Sequence, residues 1–190
     1  MNRLYSGDTF ELSGHSFVVK FETDYFYGFP WEHDDGRGIV RKSSSRHSQG
    51  YSDKSPSERP LNDAGRNEYQ FYYDWKASLA KAKADGWDCA PYGKPDGYIR
   101  AVQEDFNFIR AYLANDWEYV FVTVSMLDED GNETGESESL GGVESWADYH
   151  CEVAYELAKE LADSASRDWH ENMATFAARA IAVDAAYAGV

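Results

Sequence analysis

The order of pattern along this sequence predicts an α+β fold: a small antiparallel sheet from two hairpins, packed with about four helices. Three observations carry it. Residues 9–22 have a hairpin pattern, residues 117–140 have a second, and three stretches place apolar residues three and four apart while capping signals mark a fourth helix. With 190 residues, 43% of them hydrophobic and 16% aromatic, the chain can bury a sizeable core and is not disordered throughout. A single domain over 1–190 is expected, carrying a long, polar, locally basic loop at about 33–67.

Residues 9–12 and 16–22 read as two strands, the second alternating Phe17, Val19 and Phe21 against Ser16, Val18 and Lys20. Ser13 and Gly14 supply the turn. The aromatic run from Tyr25 to Trp31 is broken by Gly28 and Pro30, too often for a regular element. From His33 to about Asn67 the chain is mostly Ser, Gly, Asp and Arg, longer than an ordinary connection. Asn67 is the expected N-cap of a helix over 68–84, with Lys76, Lys81 and Lys83 toward its end and Gly86 just beyond. Val102, Phe106, Ile109 and Leu113 give a second helix over 98–115. Residues 117–127, rich in β-branched and aromatic side chains, form the expected central strand. Its hairpin turns at Asp130-Gly131-Asn132 and returns through 136–140. Trp146, Tyr149, Val153, Leu157 and Leu161 predict a helix over 145–162, broken at Ser164 or Ser166. A last helix runs to about Tyr187, with Trp169, Met173, Phe176, Ala180 and Val183 on one face.

The charge is unevenly placed. There are 34 acidic and 18 basic residues, net −16, and residues 101–190 alone carry 19 acids against 4 bases, net −15. Residues 37–66 run the other way, with seven bases against three acids. A negative surface repels phosphate backbones, so direct binding of duplex DNA is not expected. No apolar run is long enough to span a membrane. The first residues carry no secretory pattern, and Cys89 and Cys151 make no disulfide framework, so a cytoplasmic setting is expected.

Chemistry-bearing motifs are weak. Gly36-Arg37-Gly38 precedes no helix and is no phosphate loop. His33, Asp34, Asp35 and His47 are the best metal candidates but lack a partner motif at ligand spacing. Asp128, Asp130 and Asn132 imitate the start of a calcium loop, yet Glu133 and Ser139 stand where Gly and Glu belong. His150 and Cys151 are adjacent on a helix, where their directions differ by about 100°, so no thiolate pair is expected. No cofactor and no catalytic residue follow.

The pattern with most content is acidic. Asp148, Glu152, Glu156 and Glu160 stand four apart in the predicted 145–162 helix and form one ridge. Like charges at this spacing cost about 0.2–0.5 kcal/mol per pair, and only Lys159 is near to soften them. Asp128, Glu129, Asp130, Glu133, Glu136 and Glu138 add a second cluster on the neighbouring hairpin. Duplex DNA carries one charge per about 1.7 Å of axis against one per about 6 Å on the ridge, so imitation of DNA requires ridge and hairpin side by side. The competing reading is that a soluble acidic chain shows its acids to water.

Several strings resemble a family of phage and prophage proteins of proteobacteria. They are Pro30-Trp31-Glu32-His33-Asp34-Asp35-Gly36-Arg37-Gly38, the Lys-Ala-Asp-Gly-Trp ending of 75–87, Asn115 to Val120, Leu127 to Thr134 and Glu138 to Ser145. The resemblance covers most of 15–163 and leaves the last helix outside. The chain is also similar to anti-CRISPR proteins that inhibit type I systems. That similarity implies a non-enzymatic inhibitor in the bacterial host cytoplasm, whose acidic face stands in for DNA on a crRNA-guided surveillance complex. It carries over no individual binding residue. Two other readings follow from the residues: a metal-dependent phage enzyme using His33, Asp34, Asp35 and His47, and a homodimer pairing the basic loop with the acidic face of a second copy.

Overall fold

The computed structural model describes residues 2–33, 37–46, 53–65, 68–87 and 97–188. In chain order the elements are β1 (Thr9–Leu12), β2 (His15–Thr23), β3 (Val40–Arg46), β4 (Glu58–Pro60), β5 (Tyr69–Asp74), α1 (Trp75–Asp85), α2 (Gly97–Leu113), β6 (Tyr119–Leu127), β7 (Glu133–Glu144) and α3 (Tyr149–Ala188). The fold is α+β, with antiparallel sheets of four and three strands. The chain forms two compact units, Met1–Asp24 with Tyr119–Val190, and Tyr25–Glu118.

In the first unit the two predicted hairpins make one sheet in the order β1-β2-β6-β7. β6 is central, as its β-branched and aromatic run requires, and β7 is an edge. Alternate residues Val120, Val122, Val124 and Met126 of β6 and Phe17 and Val19 of β2 are buried on one face. Against them α3 sets Cys151, Val153, Ala154, Ala158, Leu161 and Ala162. Three alanines in that stripe let the helix approach the valines closely. The other half of the helix is left to solvent, because residues 3.6 to a turn cannot face both ways.

The second unit packs α1 and α2 with the three-stranded sheet β3-β5-β4. Here the sequence reading needs correction. Residues 69–74 are a strand, not the first turns of a helix, because four aromatics in six residues favour a pleated surface and pair with strands on both sides. The helix starts at Trp75, where the Asp74 carboxylate accepts the Ala77 N–H at 3.0 Å. It ends where predicted, at Gly86 with φ 73°. Asn67, the expected cap, lies outside the described residues.

The 33–67 stretch is likewise no plain loop, since it contributes β3 and β4. Several of its described cations have a partner within the unit. Arg41 donates to Glu58 and Asp53 at 2.8 and 3.0 Å, and its guanidinium lies over Tyr72. Lys42 sits over Tyr69 and Arg59 over Trp75. Hydrogen bonds from Ser44 and Arg41 hold the Asp53 carboxyl down at about 2.

The expected break at Ser164 or Ser166 does not occur. No Gly or Pro lies between Tyr149 and Ala188, and a single Ser costs a helix well under 1 kcal/mol, so the two predicted helices are one of 40 residues.

A buried polar knot anchors the start of β3. The Tyr73 hydroxyl and the Gly38 N–H both donate to Asp105 Oδ2 at 2.8 Å, and Ile39 N–H donates to Ser78 at 2.8 Å. Burial pushes the Asp105 carboxyl above its ordinary 3.8, against the lowering effect of these donors and of Arg37. Its stabilisation is therefore fully present below that value and declines as pH rises through the folded one. Tyr73 is 0% exposed and cannot yield, and a Cβ on Gly38 would overlap its hydroxyl. Gly38→Ala is expected to cost about 1–3 kcal/mol, read as a lower urea midpoint. An unchanged midpoint would contradict the packing described.

Candidate partner-binding face

The first unit holds 19 acidic and 5 basic residues, net −14, and the second 15 and 13, net −2. The acidity is thus a property of one folded unit. Within it, α3 places Glu152, Glu156 and Glu160 within about 80° of one another, on the half of the helix opposite the buried stripe. All three are exposed and have no ion-pair or hydrogen-bond partner among the described residues.

Asp148 does not belong to that ridge. The chain enters α3 through a short 3-10 turn at Trp146–Asp148, in which Ala147 and Asp148 have φ of 51° and 64°. Two left-handed residues in succession turn the chain from β7 into the helix, so four-residue spacing no longer implies a shared face. The Asp148 carboxylate instead meets Arg3 at 3.2 Å. The helical run continues the other way, to Asp163, three residues beyond Glu160. Spacing could have found it, since i and i+3 also share a face. Lys159 and Arg167 lie on this face too, so its four acids are partly balanced.

The hairpin acids divide into two kinds. Asp128 is part of the turn: its carboxylate accepts the N–H groups of Asp130 and Asn132 at 3.0 and 2.8 Å, and these bonds lower its pKa from the usual 3.8. No calcium-loop geometry is needed to explain it. Glu133 accepts from Lys20 at 2.7 Å, the main reason that its carboxyl is also lowered. Glu129, Asp130, Glu136 and Glu138 are exposed, with no such partner among the described residues. β7 is longer than predicted, because the return strand pairs from Glu133 rather than 136. Its charge also serves the fold, since glutamates along an edge strand oppose pairing with another edge.

Register brings the two clusters together at one place. Glu138 pairs with Val124, whose side chain is buried under α3, so Glu138 projects on the helix-bearing face of the sheet. There Glu138, Glu160, Asp163, Ser164 and Arg167 line a cavity of about 630 Å³. The juxtaposition required by the acidic reading is present at this point; Asp128, Glu129 and Asp130 lie at the far turn of the hairpin.

The other candidates fare differently. Asp34, Asp35 and His47 lie outside the described residues, as does Cys89. No group of three or more metal-binding side chains forms among the described residues. His150 and Cys151 approach more closely than their helical directions suggest, with Nε2 3.6 Å from Sγ, because the imidazole folds back beside Phe21. Cys151 is nonetheless buried, between the Leu4 N–H at 3.4 Å and the Leu4 carbonyl at 3.6 Å. That is the setting of a packing cysteine rather than an accessible nucleophile. No described helix is long and apolar enough to cross a membrane. Comparison with family models, curated proteins and solved structures finds no match for the chain.

Two expectations follow. In a carboxyl-detected NMR titration Asp128 and Glu133 should titrate below 3.8 and 4.5. Because folding lowers both values, their stabilisation is present above those values and is lost as pH falls through the lowered ones; midpoints at or above them would contradict the hydrogen bonds described. Glu156 stands between two like charges, so Glu156→Gln should raise thermal stability at low salt by about 0.5 kcal/mol, and less at high salt. A loss of stability would mean that Glu156 makes a favourable contact.

Proposed function

We propose that the protein is a phage-encoded, non-enzymatic inhibitor whose acidic unit occupies the positively charged nucleic-acid groove of a host complex, a crRNA-guided type I surveillance complex being the partner in view. One observation carries this reading: acids from two elements distant in sequence, Glu138 on β7 and Glu160 and Asp163 on α3, line a common cavity and outnumber the cation there, Arg167. Solubility asks only for net charge and does not ask for convergence.

The spacing supports the same reading. Glu152, Glu156, Glu160 and Asp163 span about 16 Å of helix, one charge per roughly 5 Å. One DNA strand presents a phosphate per about 3.4 Å, and Glu138 beside the ridge narrows the difference. The price is the like-charge repulsion along α3, which Lys159 and Arg167 only partly offset.

The test is recovery of the tagged protein's partners from a lysate of a host carrying a type I system, at low and high salt. Recovery of the crRNA-guided complex at low salt is expected, with sharp loss above about 0.15 M, where the screening length falls to about 8 Å. Reversing Glu138, Glu160 and Asp163 to Lys should abolish capture while leaving the circular dichroism spectrum unchanged. Capture that survives this reversal, or the absence of the complex from the eluate, would overturn the proposal.

A further inference from the structure

The second unit contains a smaller cavity of opposite character. About 310 Å³ in volume, it is lined by Arg59, Pro60, Leu61, Asn62, Asp63, Phe106 and Arg110, from β4, the residues that follow it and α2. The volume is at the lower end of the range for small-molecule sites. Leu61 and Phe106 give it an apolar wall.

The two arginines distinguish it. Arg37, Arg41 and Arg100 each meet a carboxylate, at 3.8, 2.8 and 2.8 Å. Arg59 and Arg110 meet none among the described residues, although Asp63 lines the same cavity. Arg59 is also held in place: its guanidinium carbon is 3.5 Å from the centre of the Trp75 ring, a stacking that leaves the N–H donors at the rim of the guanidinium plane free. Asn62 is occupied in fixing the wall, donating to the Tyr69 carbonyl and accepting from Phe71 N–H and Gln70. Its carbonyl oxygen is thereby taken, and one of its two amide N–H groups is left.

Two unpaired guanidinium groups suit an anion with several equivalent oxygens. A phosphate monoester can accept from both forks at once, whereas a monocarboxylate is satisfied by one. Asp63 disfavours a bare anion but accepts from a hydroxyl. A polymer is disfavoured, because the unit carries a net −2 and does not attract a phosphate backbone. We propose that this cavity binds the phosphate monoester of a small polyhydroxy compound, with the phosphate against Arg59 and Arg110 and a hydroxyl against Asp63.

Titration of the full chain with ribose 5-phosphate, and separately with inorganic phosphate at constant ionic strength, tests this by calorimetry and by the change in tryptophan fluorescence that is lost in Trp75→Phe. Saturable binding of ribose 5-phosphate below about 10 mM is expected, tighter than that of inorganic phosphate. Arg59→Gln and Arg110→Gln should each weaken it about tenfold or more, Arg110→Gln with the unfolding midpoint unchanged and Arg59→Gln with only the small drop that loss of its stacking on Trp75 brings. Asp63→Asn should narrow the gap between the two ligands by strengthening inorganic phosphate. Absence of saturation, or equal binding by wild type and both arginine variants, would overturn the proposal.

Discussion

The packing of α3 on the valines of β2 and β6 decides where the acidic side chains of the first unit can go. A stripe of Cys151, Val153, Ala154, Ala158, Leu161 and Ala162 is buried on the sheet, and the helical period then leaves Glu152, Glu156, Glu160 and Asp163 on the outer half. The same contact makes Glu138 a neighbour of Glu160, because the partner of Glu138 across the sheet is Val124, under the helix. Burying three alanines gains less than burying larger residues.

Charge is handled in opposite ways in the two units. The second unit, nearly balanced, gives several of its described cations a local partner: Arg41 with Asp53 and Glu58, Lys42 on Tyr69, Arg37 on Phe108. The opposition of a basic segment to an acidic half nonetheless persists in the sums, since residues 37–66 keep seven bases against three acids and an aromatic ring does not cancel a charge. In the first unit Asp128, Glu133 and Asp148 are engaged by N–H groups, Lys20 and Arg3, while the α3 ridge has no such partners among the described residues. That contrast separates acids engaged within the fold from exposed acids that have no such contact among the described residues, which a net charge cannot do.

Elements governed by local pattern could be read directly. β1, β2, β6 and the Asp130-Gly131-Asn132 turn follow from alternation and turn chemistry, and the end of α1 follows from Gly86. The errors arose where tertiary pairing overrides local preference. The 69–74 run has helix-compatible spacing but is pinned between β3 and β4, and β3, rich in Ser and bases, and β4, Glu-Arg-Pro, carry little hydrophobic signal. For the site, the spacing of Glu152, Glu156 and Glu160 was legible, and Asp163 could have been. Asp148 was misplaced because two left-handed residues precede the helix, and nothing in Trp146-Ala147-Asp148 announces them. The meeting of Glu138 with Glu160 depends on strand register with a bulge in β7, which no single-sequence pattern specifies.

The central claim, that the acidic unit takes the place of DNA, is tested most directly by competition. A purified crRNA-guided type I complex is loaded with labelled duplex target, the protein is added, and fluorescence anisotropy reports the fraction of duplex still bound. The account predicts displacement that saturates at a fixed stoichiometry and weakens as salt rises, as an electrostatic competitor requires. Retention of the duplex at saturating protein, or displacement insensitive to salt, would contradict it.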